Sequence, residues 1–427
     1  MIPLPRHLLP DTAEVGPDGH LRIGGCDVLE LAAEHGTPLF VYDEAHLRAR
    51  CREAVEAFGP DGAVYATKAF LCLAMARLAH EEGLRLDVAT GGELHVALTA
   101  GVPAERLVLH GNNKSDAELR TAVEAGVGRI VVDSFDELDR LERLHAETGG
   151  AHAPRVLLRL TPGVEAHTHE YVRTGQDDSK FGFGIASGAA DEAVARARRS
   201  PAMELVGVHA HIGSQIFALE SFDLALEVLA GFVRPLDLEE LVVGGGLGVA
   251  YLTGEHAPTL TAWAERLRAG VERHGLGHLH LGVEPGRALV ASAAITLYTV
   301  GTVKELPGIR TYVSVDGGMS DNPRPVLYGS GYEAFLPRAV EAPRPRVVRV
   351  VGKHCESGDV LVHEAHVPAD LAVGDVLATP VTGAYGHSMG SNYNKVTRPA
   401  VVFVRDGVAR VVVRRETYDD LIRLDVL

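Results

Sequence analysis

One repeating pattern occupies more than half of the chain. From residue 37 to about residue 283, an apolar, β-branched run is followed by a polar or glycine-rich end and then by a stretch rich in Ala, Leu, Glu and Arg. The apolar runs predict strands, and the stretches between them predict helices. The eight predicted strands end at Lys68 and at residues 87–90, 110–112, 133–134, 159–161, 209–211, 244–246 and 282–284.

The predicted helices fill the spaces between these strands. Eight strand–helix alternations over about 250 residues are typical of a (β/α)8 barrel. A doubly wound sheet is the main alternative, but here polar residues follow every strand instead of gathering at one point. We therefore expect an α/β fold with a (β/α)8 TIM barrel whose site lies at the carboxyl ends of the strands. Helices are predicted at residues 71–82, 93–100, 115–125, 134–148, 189–199, 221–232 and 259–274.

The pattern changes after residue 284. Short β-type runs broken by Gly and Pro replace the alternation, which predicts a second, mainly antiparallel β-barrel or sandwich domain. The N-terminal residues, with a predicted helix at 28–35, are expected to join it. The expected division is a barrel over residues 37–283 and a β domain over residues 1–36 together with 284–427. Strands of the β domain are predicted at residues 295–303, 311–316, 346–351, 359–364, 376–380 and 400–413, and a helix at 418–427.

Charge and cysteine content restrict the partners and the compartment. The formal net charge of -16 at pH 7 argues against nucleic acid and anionic membranes as partners. The four cysteines form no CxxC pair, which fits a reducing cytosol. We see no signal peptide at the N-terminus and no uncharged apolar run as long as a membrane span. We expect a cytoplasmic protein that acts on a small molecule, with no nucleic-acid or membrane partner.

Lys68 is the first candidate for chemistry. It lies in a strand-like segment at residues 64–70. A lysine in this position is ordinarily a solvated strand end. The alternative is an amine whose pKa is lowered by burial, so that it can form a Schiff base. The second interpretation requires the rest of the chain to supply a site around the amine.

Two motifs further along the chain suit a phosphorylated heterocyclic cofactor. The glycines at 244–246 let backbone N–H groups approach a single phosphate, and they lack the patterns of nucleoside triphosphate and dinucleotide loops. Glu284 is suited to hold a ring nitrogen protonated, and Arg287 can bind a phosphate or a carboxylate. A tight turn and a Glu284–Arg287 salt bridge are the structural alternatives.

His209 and His211 lie two residues apart on one predicted strand, and hence on one face. They are conceivable metal ligands together with His110 and His169, but no HExxH or compact carboxylate–histidine set accompanies them. We therefore expect no metal. An imidazole stacked on a cofactor ring is the better functional use, with His209 as a core histidine, and Ser214 is placed to add a phosphate hydrogen bond.

A second group of polar residues lies in the expected β domain. Cys355 and Glu356 stand in a polar stretch, where a thiol with a tuned pKa can act as an acid. An ordinary buried cysteine is the alternative. Arg324, Tyr328 and Tyr385 lie in turn-rich segments and are candidates for recognising a charged ligand.

Together these residues resemble those of the pyridoxal-phosphate-dependent diaminopimelate decarboxylases, which belong with the barrel-type decarboxylases and alanine racemases. The resemblance covers nearly the whole chain, and Arg324, Tyr328 and Glu356 indicate the diaminopimelate branch. One departure is His387, where an aromatic or apolar residue is expected near Tyr385. The motifs lie at residues 65–69, 110–115, 211–215, 244–246, 284–287, 316–319, 324–328, 355–359 and 383–385.

The resemblance implies roles toward bound pyridoxal 5′-phosphate. Lys68 is similar to the lysine of the internal aldimine, His211 to the imidazole stacked on the ring, and Glu284 to the partner of the pyridine nitrogen. Cys355 is similar to the acid that reprotonates the α-carbon. Further cofactor contacts are implied at Asp87, Ser214, Gly245, Gly246, Gly286, Arg287 and Tyr385. Substrate contacts are implied at Arg287, Arg324, Tyr328, Glu356 and Tyr385.

The implied activity is decarboxylation of meso-2,6-diaminopimelate to L-lysine and CO2, the last step of lysine biosynthesis. The distal end of that substrate is a zwitterion, so both a cation (Arg324) and an anion (Glu356) are expected there. In this family Cys355 and Glu356 reach the site from the other subunit of a homodimer, so the β domain completes both the site and the dimer. A closing loop is predicted at residues 177–184.

Three alternatives to this activity remain open. The first is a related pyridoxal phosphate decarboxylase that acts on another amino acid or on a carrier-linked substrate. The second is an amino-acid racemase, which has the same cofactor and barrel but retains CO2. The third is a cofactor-binding protein without catalytic activity.

Overall fold

The computed structural model describes residues 4–151, 153–163 and 179–427 and divides into two compact units. No helix among these residues is both long and apolar enough to cross a membrane. We name the two units the barrel unit and the β unit. The barrel unit comprises Cys51–Gly248 and Ala257–Ala288, and the β unit comprises Met1–Arg50, Val249–His256 and Leu289–Leu427.

Eight parallel strands form the sheet of the barrel unit, each paired with the next in chain order. The circle closes because the Val64 N–H donates to the Val283 carbonyl (2.9 Å) and the Val283 N–H donates to the Gly62 carbonyl (2.8 Å). A short strand, Phe183–Gly184, pairs beside the fifth strand. The predicted eight-stranded parallel barrel is therefore confirmed. In chain order its strands are β1 (Val64–Ala66), β2 (Arg85–Val88), β3 (Leu107–Leu109), β4 (Arg129–Val132), β5 (Arg155–Thr161), β6 (Glu204–Ala210), β7 (Glu240–Val242) and β8 (His280–Gly282).

Several helices of the barrel unit begin at a serine or threonine N-cap. The Ser115 hydroxyl accepts a hydrogen bond from the Glu118 backbone N–H, and the Glu118 carboxylate accepts one from the Ser115 N–H. This exchange satisfies two donors that a helix start leaves open. All seven predicted helices are present, with ends that differ from the prediction by at most two residues. They are Leu73–Glu81, Gly91–Thr99, Asp116–Ala125, Phe135–Glu147, Ala189–Arg199, Glu220–Val233 and Leu260–Arg273, with further helices at Glu44–Phe58 and Arg287–Val290.

The interior of the barrel is layered. At the amino ends of the strands, Arg129 on β4 and Glu240 on β7 form a buried ion pair, with Arg129 Nε 3.1 and 3.0 Å from the two carboxylate oxygens. Because β4 and β7 are not neighbours in the sheet, this pair crosses the interior. Two residues further along, Val131 and Val242 belong to the apolar core cluster. Polar side chains return at the carboxyl ends, so an apolar layer separates the ion pair from the candidate site.

The β unit contains two sheets. The larger sheet is mainly antiparallel, as predicted, and includes two parallel pairings. In hydrogen-bonded order it comprises Val360–Val367, Arg346–Val351, Arg310–Val315, Ala294–Leu306, Leu39–Asp43, Ala400–Arg405 and Val408–Val413, with Val376–Pro380 beside Ala294–Leu306. The smaller sheet comprises Glu14–Val15, Leu21–Ile23 and Cys26–Asp27. Helices of this unit are Val28–His35, Arg324–Tyr328 and Tyr418–Ile422.

The strand Leu39–Asp43 lies in the larger sheet of the β unit. The sequence pattern started the barrel at residue 37, whereas the first barrel strand is β1. All five residues of Leu39–Asp43 are buried, and such an apolar run has the same sequence signature in a parallel barrel and at the centre of another sheet. The C-terminal helix also ends earlier than predicted, at Ile422.

Lys114 and Glu137 form a second buried ion pair in the barrel unit, with exposed fractions of 2% and 1%. Lys114 Nζ donates to the Gly111 carbonyl (2.7 Å), the Val131 carbonyl (2.6 Å) and Glu137 Oε1 (2.7 Å). Burial lowers the pKa of the Lys114 ammonium, but all three of its protons have acceptors. The ammonium therefore ties the segment after β3 to β4 and to the helix Phe135–Glu147.

We expect Lys114→Met to destabilise the barrel unit by about 3–5 kcal/mol, because it leaves the Glu137 carboxylate buried without its counter-charge. The double variant Lys114→Met/Glu137→Met removes both charges and is expected to recover most of that loss. The thermal unfolding midpoint measures both effects, with Arg120→Met at an exposed ion pair as the control. An unchanged midpoint for Lys114→Met alone would contradict this prediction.

Candidate active site

The candidate site lies at the carboxyl ends of the barrel strands, where Lys68 is two residues beyond the end of β1. Lys68 occupies a 3-10 turn, Thr67–Ala69, and is exposed. The Thr67 hydroxyl donates to the Asp87 carbonyl (2.6 Å), which fixes the turn to the end of β2. The positive charge of Lys68 acts on both Asp87 and His211. An amine is therefore presented at the mouth of the barrel beside a carboxylate and an imidazole.

Glu284, two residues after β8, is contacted from two sides by imidazoles. His209 Nε2 lies 3.0 Å from Oε2 in a hydrogen bond, and His110 Nε2 lies 2.8 Å from Oε1 as an ion-pair contact. The two imidazole rings meet edge to face, with centroids 4.9 Å apart. All three side chains are buried. The carboxylate is therefore fixed by residues from β3, β6 and β8, which converge across the barrel.

Burial and charge give these three groups different protonation states. Burial opposes ionisation of Glu284, but His110 and His209 outweigh it and hold the pKa of this carboxyl well below its usual range. Burial lowers the pKa of His209 to about 4. Burial also disfavours the charged form of His110, but the carboxylates of Asp87 and Glu284 outweigh it and raise the pKa of His110. At neutral pH Glu284 is anionic and His209 is neutral.

Asp87 and Arg159 complete the buried charges around Glu284. Asp87 is 4% exposed, and burial raises the pKa of its carboxyl. Arg159, on β5, lies with its guanidinium carbon 4.2 Å from the centre of the Phe181 ring. Sequence reasoning missed Arg159 as a site residue and considered His110 only as a metal ligand. The available signal was that both lie at predicted strand ends.

His211 is held against the glycine segment after β7. Its Nδ1 accepts a hydrogen bond from the Gly245 N–H (3.3 Å), and burial, reinforced by the charges of Lys68 and Arg159, holds the pKa of the imidazole well below its usual range. A Cβ atom on Gly244 would lie 2.7 Å from His211 Nδ1. The glycine is therefore required by the close approach of a neutral imidazole with its proton on Nε2.

Ser214, Gly246 and Arg287 meet at a second corner of the barrel mouth. The Arg287 guanidinium donates to Ser214 Oγ (2.9 Å). The Gly246 carbonyl accepts a hydrogen bond from the Ile216 N–H (2.9 Å), which holds the glycine segment beside Ser214. A Cβ atom on Gly286 would lie 3.0 Å from the Ala66 Cβ at the end of β1. This corner combines a hydroxyl, a guanidinium and glycine backbone without side chains. Such a combination suits a phosphate.

Arg324 in the β unit is a buried cation whose hydrogen bonds, among the described residues, go to neutral groups. It is 5% exposed and donates to the Tyr332 hydroxyl (2.5 Å) and to Ser330 Oγ (3.1 Å). Its guanidinium carbon lies 4.2 Å from the centre of the Tyr251 ring. Among the residues that the structure describes, no carboxylate forms an ion pair with it. A buried guanidinium without a counter-charge is suited to bind an anionic ligand.

Cys355 and Glu356 lie on a loop of the β unit, with both residues exposed. The Cys355 N–H donates to Asn394 Oδ1 (3.1 Å). The Tyr393 hydroxyl donates to Glu356 Oε2 (3.3 Å). Asp359 supports the same loop by accepting the His354 N–H (2.9 Å). The thiol and the carboxylate are therefore presented outward on a fixed backbone.

Tyr328, Tyr385 and His387 are the remaining candidates from the sequence. Tyr328 ends the helix Arg324–Tyr328 and is half-buried, as is Tyr385, which has a positive φ of 61°. His387 lies edge-on to Phe40, with ring centroids 5.9 Å apart. The aromatic contact expected near Tyr385 is thus made by an imidazole.

Two expectations concern residues outside the described ranges. His169 lies there, as do residues 177 and 178 of the predicted closing loop. In the described remainder of that loop, the Gly182 N–H donates to Asp133 Oδ1 (2.5 Å). Potential ligand atoms of His110, His209 and Glu284 lie within 4.8 Å of one another. Because each Nε2 faces a carboxylate oxygen, we assign these contacts to hydrogen bonding and ion pairing.

The sequence matches a known family over more than half of its length. The family described as pyridoxal-dependent decarboxylase, pyridoxal binding domain, matches residues 44–291. The diaminopimelate decarboxylase of Bacillus subtilis (strain 168) is 48% identical, covering 97% of this chain and 97% of the relative. That of Mycobacterium bovis is 50% identical, covering 96% and 95%.

Solved structures show the same architecture. The diaminopimelate decarboxylase of M. jannaschii, also solved in complex with L-lysine, has a TM-score of 0.90 at 34% identity and covers 98% of each chain. A lysine/ornithine decarboxylase from Vibrio vulnificus, in complex with putrescine, has a TM-score of 0.74 at 21% identity, covering 89% of this chain and 98% of the other. The second likeness concerns the fold alone.

The low pKa of His209 predicts a loss of stability in mild acid. As the pH falls from 6.5 to about 4, the unfolded chain binds a proton at this position that the folded chain does not bind. This difference contributes a loss of up to about 3 kcal/mol in the free energy of unfolding over that range. His209→Gln is expected to lose less stability over the same range, as measured by chemical denaturation at several pH values. An identical pH dependence in His209→Gln and in the control His278→Gln would contradict the prediction.

Proposed function

The chain belongs to the diaminopimelate decarboxylases within the pyridoxal-dependent decarboxylase family, and from this we propose that it converts meso-2,6-diaminopimelate to L-lysine and CO2. The main observation behind the proposal is the arrangement of side chains at the barrel mouth. There an exposed lysine, a neutral imidazole and a buried anionic carboxylate surround one opening. The curated relatives named above support the choice of substrate.

The residues at the barrel mouth fit pyridoxal 5′-phosphate. The corner formed by Ser214, Gly246 and Arg287 suits its phosphate, and the close approach at Gly244 leaves a flat surface of backbone beside the His211 ring. When bound, this cofactor supplies an electron-withdrawing ring that stabilises the electron pair left on the α-carbon as CO2 departs.

The side chains of the barrel unit then have distinct tasks. Lys68 Nζ would hold the cofactor through its aldehyde. Glu284, as an anion, would favour a proton on the ring nitrogen. His211 would contact the ring in its neutral form and so add no positive charge beside that nitrogen. Asp87, Gly245 and Gly286 would be further cofactor contacts.

Residues of the β unit are assigned to the substrate. The distal end of diaminopimelate carries one ammonium and one carboxylate. Arg324, a buried cation with no carboxylate partner in the described chain, suits the distal carboxylate, and the exposed Glu356 suits the distal ammonium. Tyr328 and Tyr385, together with Arg287 of the barrel unit, are assigned as further substrate contacts. A substrate with a distal ammonium alone would leave the Arg324 charge without a partner.

We assign the final protonation to Cys355, whose Sγ donates its proton to the α-carbon. The exposed position of Cys355 and Glu356 is consistent with a role in the site of a partner subunit, so a homodimer with shared active sites is part of the proposal. The described cysteines are all free thiols, which supports the proposed cytoplasmic location.

Incubation of the purified protein with pyridoxal phosphate and meso-diaminopimelate is expected to release CO2 and L-lysine in equal amounts. L-Lysine, L-ornithine and L-arginine are expected to release none. Lys68→Ala should lower kcat by about 10²–10⁴-fold or more, because the amine that binds the aldehyde is lost. CO2 release from another amino acid but not from diaminopimelate would overturn the substrate assignment. Configuration change without CO2 release would identify a racemase.

Arg324→Met is expected to raise KM for meso-diaminopimelate by about 10–100-fold, because a charge-assisted contact to the distal carboxylate is lost. Arg324→Lys keeps the charge and should recover part of the affinity. Cofactor absorbance and the thermal midpoint verify that each variant remains folded and loaded, and Arg346→Met serves as a surface control. An unchanged KM in Arg324→Met would remove this residue from substrate binding.

A further inference from the structure

We propose that His110 and His209 position Glu284 for the ring nitrogen of the cofactor by different physical means. His110 acts as an imidazolium that ion-pairs with the carboxylate, and His209 acts as a neutral hydrogen-bond donor. The inference rests on the proposed function, because it concerns the same ring nitrogen. It adds two positioning residues and assigns each a charge state.

The geometry fixes the carboxylate in two directions. His110 follows β3, His209 lies on β6 and Glu284 follows β8, so the three side chains approach from separate parts of the circular sheet. His209 Nε2 lies 3.0 Å from Oε2, and His110 Nε2 lies 2.8 Å from Oε1. With each oxygen contacted by a different ring, the carboxylate cannot rotate without breaking one contact.

The two contacts differ in kind. The His209 Nε2 contact has the direction of a hydrogen bond, whereas the shorter His110 Nε2 contact is out of line for one. His209 Nδ1 is buried and has no hydrogen-bond partner among the described residues. A proton added there would be buried without an acceptor, so His209 remains neutral with its proton on Nε2. A close but poorly directed contact, as at His110, is still strong between opposite charges.

The carboxylates beside His110 favour its cationic form. Titratable and charged groups act on this group of side chains from the elements around it. They are Lys68 after β1, Asp87 on β2, Glu93 on the helix Gly91–Thr99, His110 after β3, Asp133 after β4, Arg159 on β5, His209 on β6 and His211 after β6. The charges of Asp87 and Glu284 outweigh burial at His110 and favour its charged form. A neutral residue at position 110 would remove this positive charge from beside two buried carboxylates, which favours protonation of a carboxylate.

Protonation of Glu284 would remove its effect on the cofactor. Only the anion favours a proton on the ring nitrogen, and a neutral carboxylic acid does not. The charge on His110 should therefore affect the ring nitrogen through Glu284. The hydrogen bond from His209 should affect only the orientation of the carboxylate, which a neutral amide can maintain.

Matched glutamine substitutions separate these two roles. Glutamine can donate a hydrogen bond but carries no charge, so His110→Gln and His209→Gln remove different properties. His209→Leu removes the donor as well, and His278→Gln, at an exposed position, is the control. Each apo-protein is titrated with pyridoxal phosphate and with its 1-deaza analogue, in which a C–H group replaces the ring nitrogen. NMR of the bound cofactor, labelled at the ring nitrogen, reports the protonation state directly.

We expect His110→Gln to weaken pyridoxal phosphate binding by about tenfold, equivalent to one pKa unit at a coupled group. Its affinity for the deaza analogue should equal that of the unsubstituted chain. His209→Gln should bind pyridoxal phosphate within about threefold of the unsubstituted chain, and His209→Leu about tenfold more weakly. The ring nitrogen should lose its proton in His110→Gln and keep it in His209→Gln.

Two results would overturn the inference. Equal losses in His110→Gln and His209→Gln would show that charge does not distinguish the two histidines. An equal loss for the cofactor and for its deaza analogue would show that His110 acts on the protein structure and not on the ring nitrogen. If the unsubstituted chain binds no pyridoxal phosphate, the proposed function itself fails, which this experiment reports separately.

Discussion

Closure of the barrel sheet is the constraint on which the candidate site depends. The hydrogen bonds between Val64 and Val283 join the first strand to the segment after the last one. Lys68 and Glu284 lie just beyond this seam, and the Ala66 N–H donates to the Pro285 carbonyl across it (3.2 Å). An amine and a carboxylate that are far apart in the sequence therefore share one opening only because the six intervening strands complete a circle.

Buried charge is the second constraint. In the barrel unit, buried ions have groups of opposite charge close to them. Arg129 with Glu240 at the amino ends, and Lys114 with Glu137 beside β3, are pairs whose hydrogen bonds satisfy the ions they bury. Around Glu284 compensation is shared among several groups, which leaves protonation states sensitive to each neighbour. Ion pairs whose hydrogen bonds are all satisfied stabilise the fold. Where several groups share the compensation of a buried charge, a bound ligand can change their protonation states.

Much of the barrel was predictable because its strands repeat one simple pattern, an apolar run with a polar end. All eight strand ends and all seven helices were identified in this way. The predicted barrel boundary at residue 37 enclosed residues 39–43 because an apolar run does not reveal which sheet it joins. The roles of His110 and Arg159 could not be read from the sequence, since protonation and pairing depend on distances across the barrel. The assignment of Arg324 rested on resemblance, and its lack of a carboxylate partner in the described chain became visible only in three dimensions.

The close packing of the glycine segment has a consequence for altering this protein by design. A Cβ atom on Gly245 would lie 2.1 Å from the Glu284 carbonyl oxygen, and one on Gly244 would overlap His211. Backbone atoms of the glycine segment therefore line this part of the opening. A side chain added there would displace the segments after β7 and β8. A combinatorial library aimed at new substrates should keep these glycine codons fixed. Diversity in such a library belongs at side chains that we propose to contact the substrate, such as Tyr328 and Glu356.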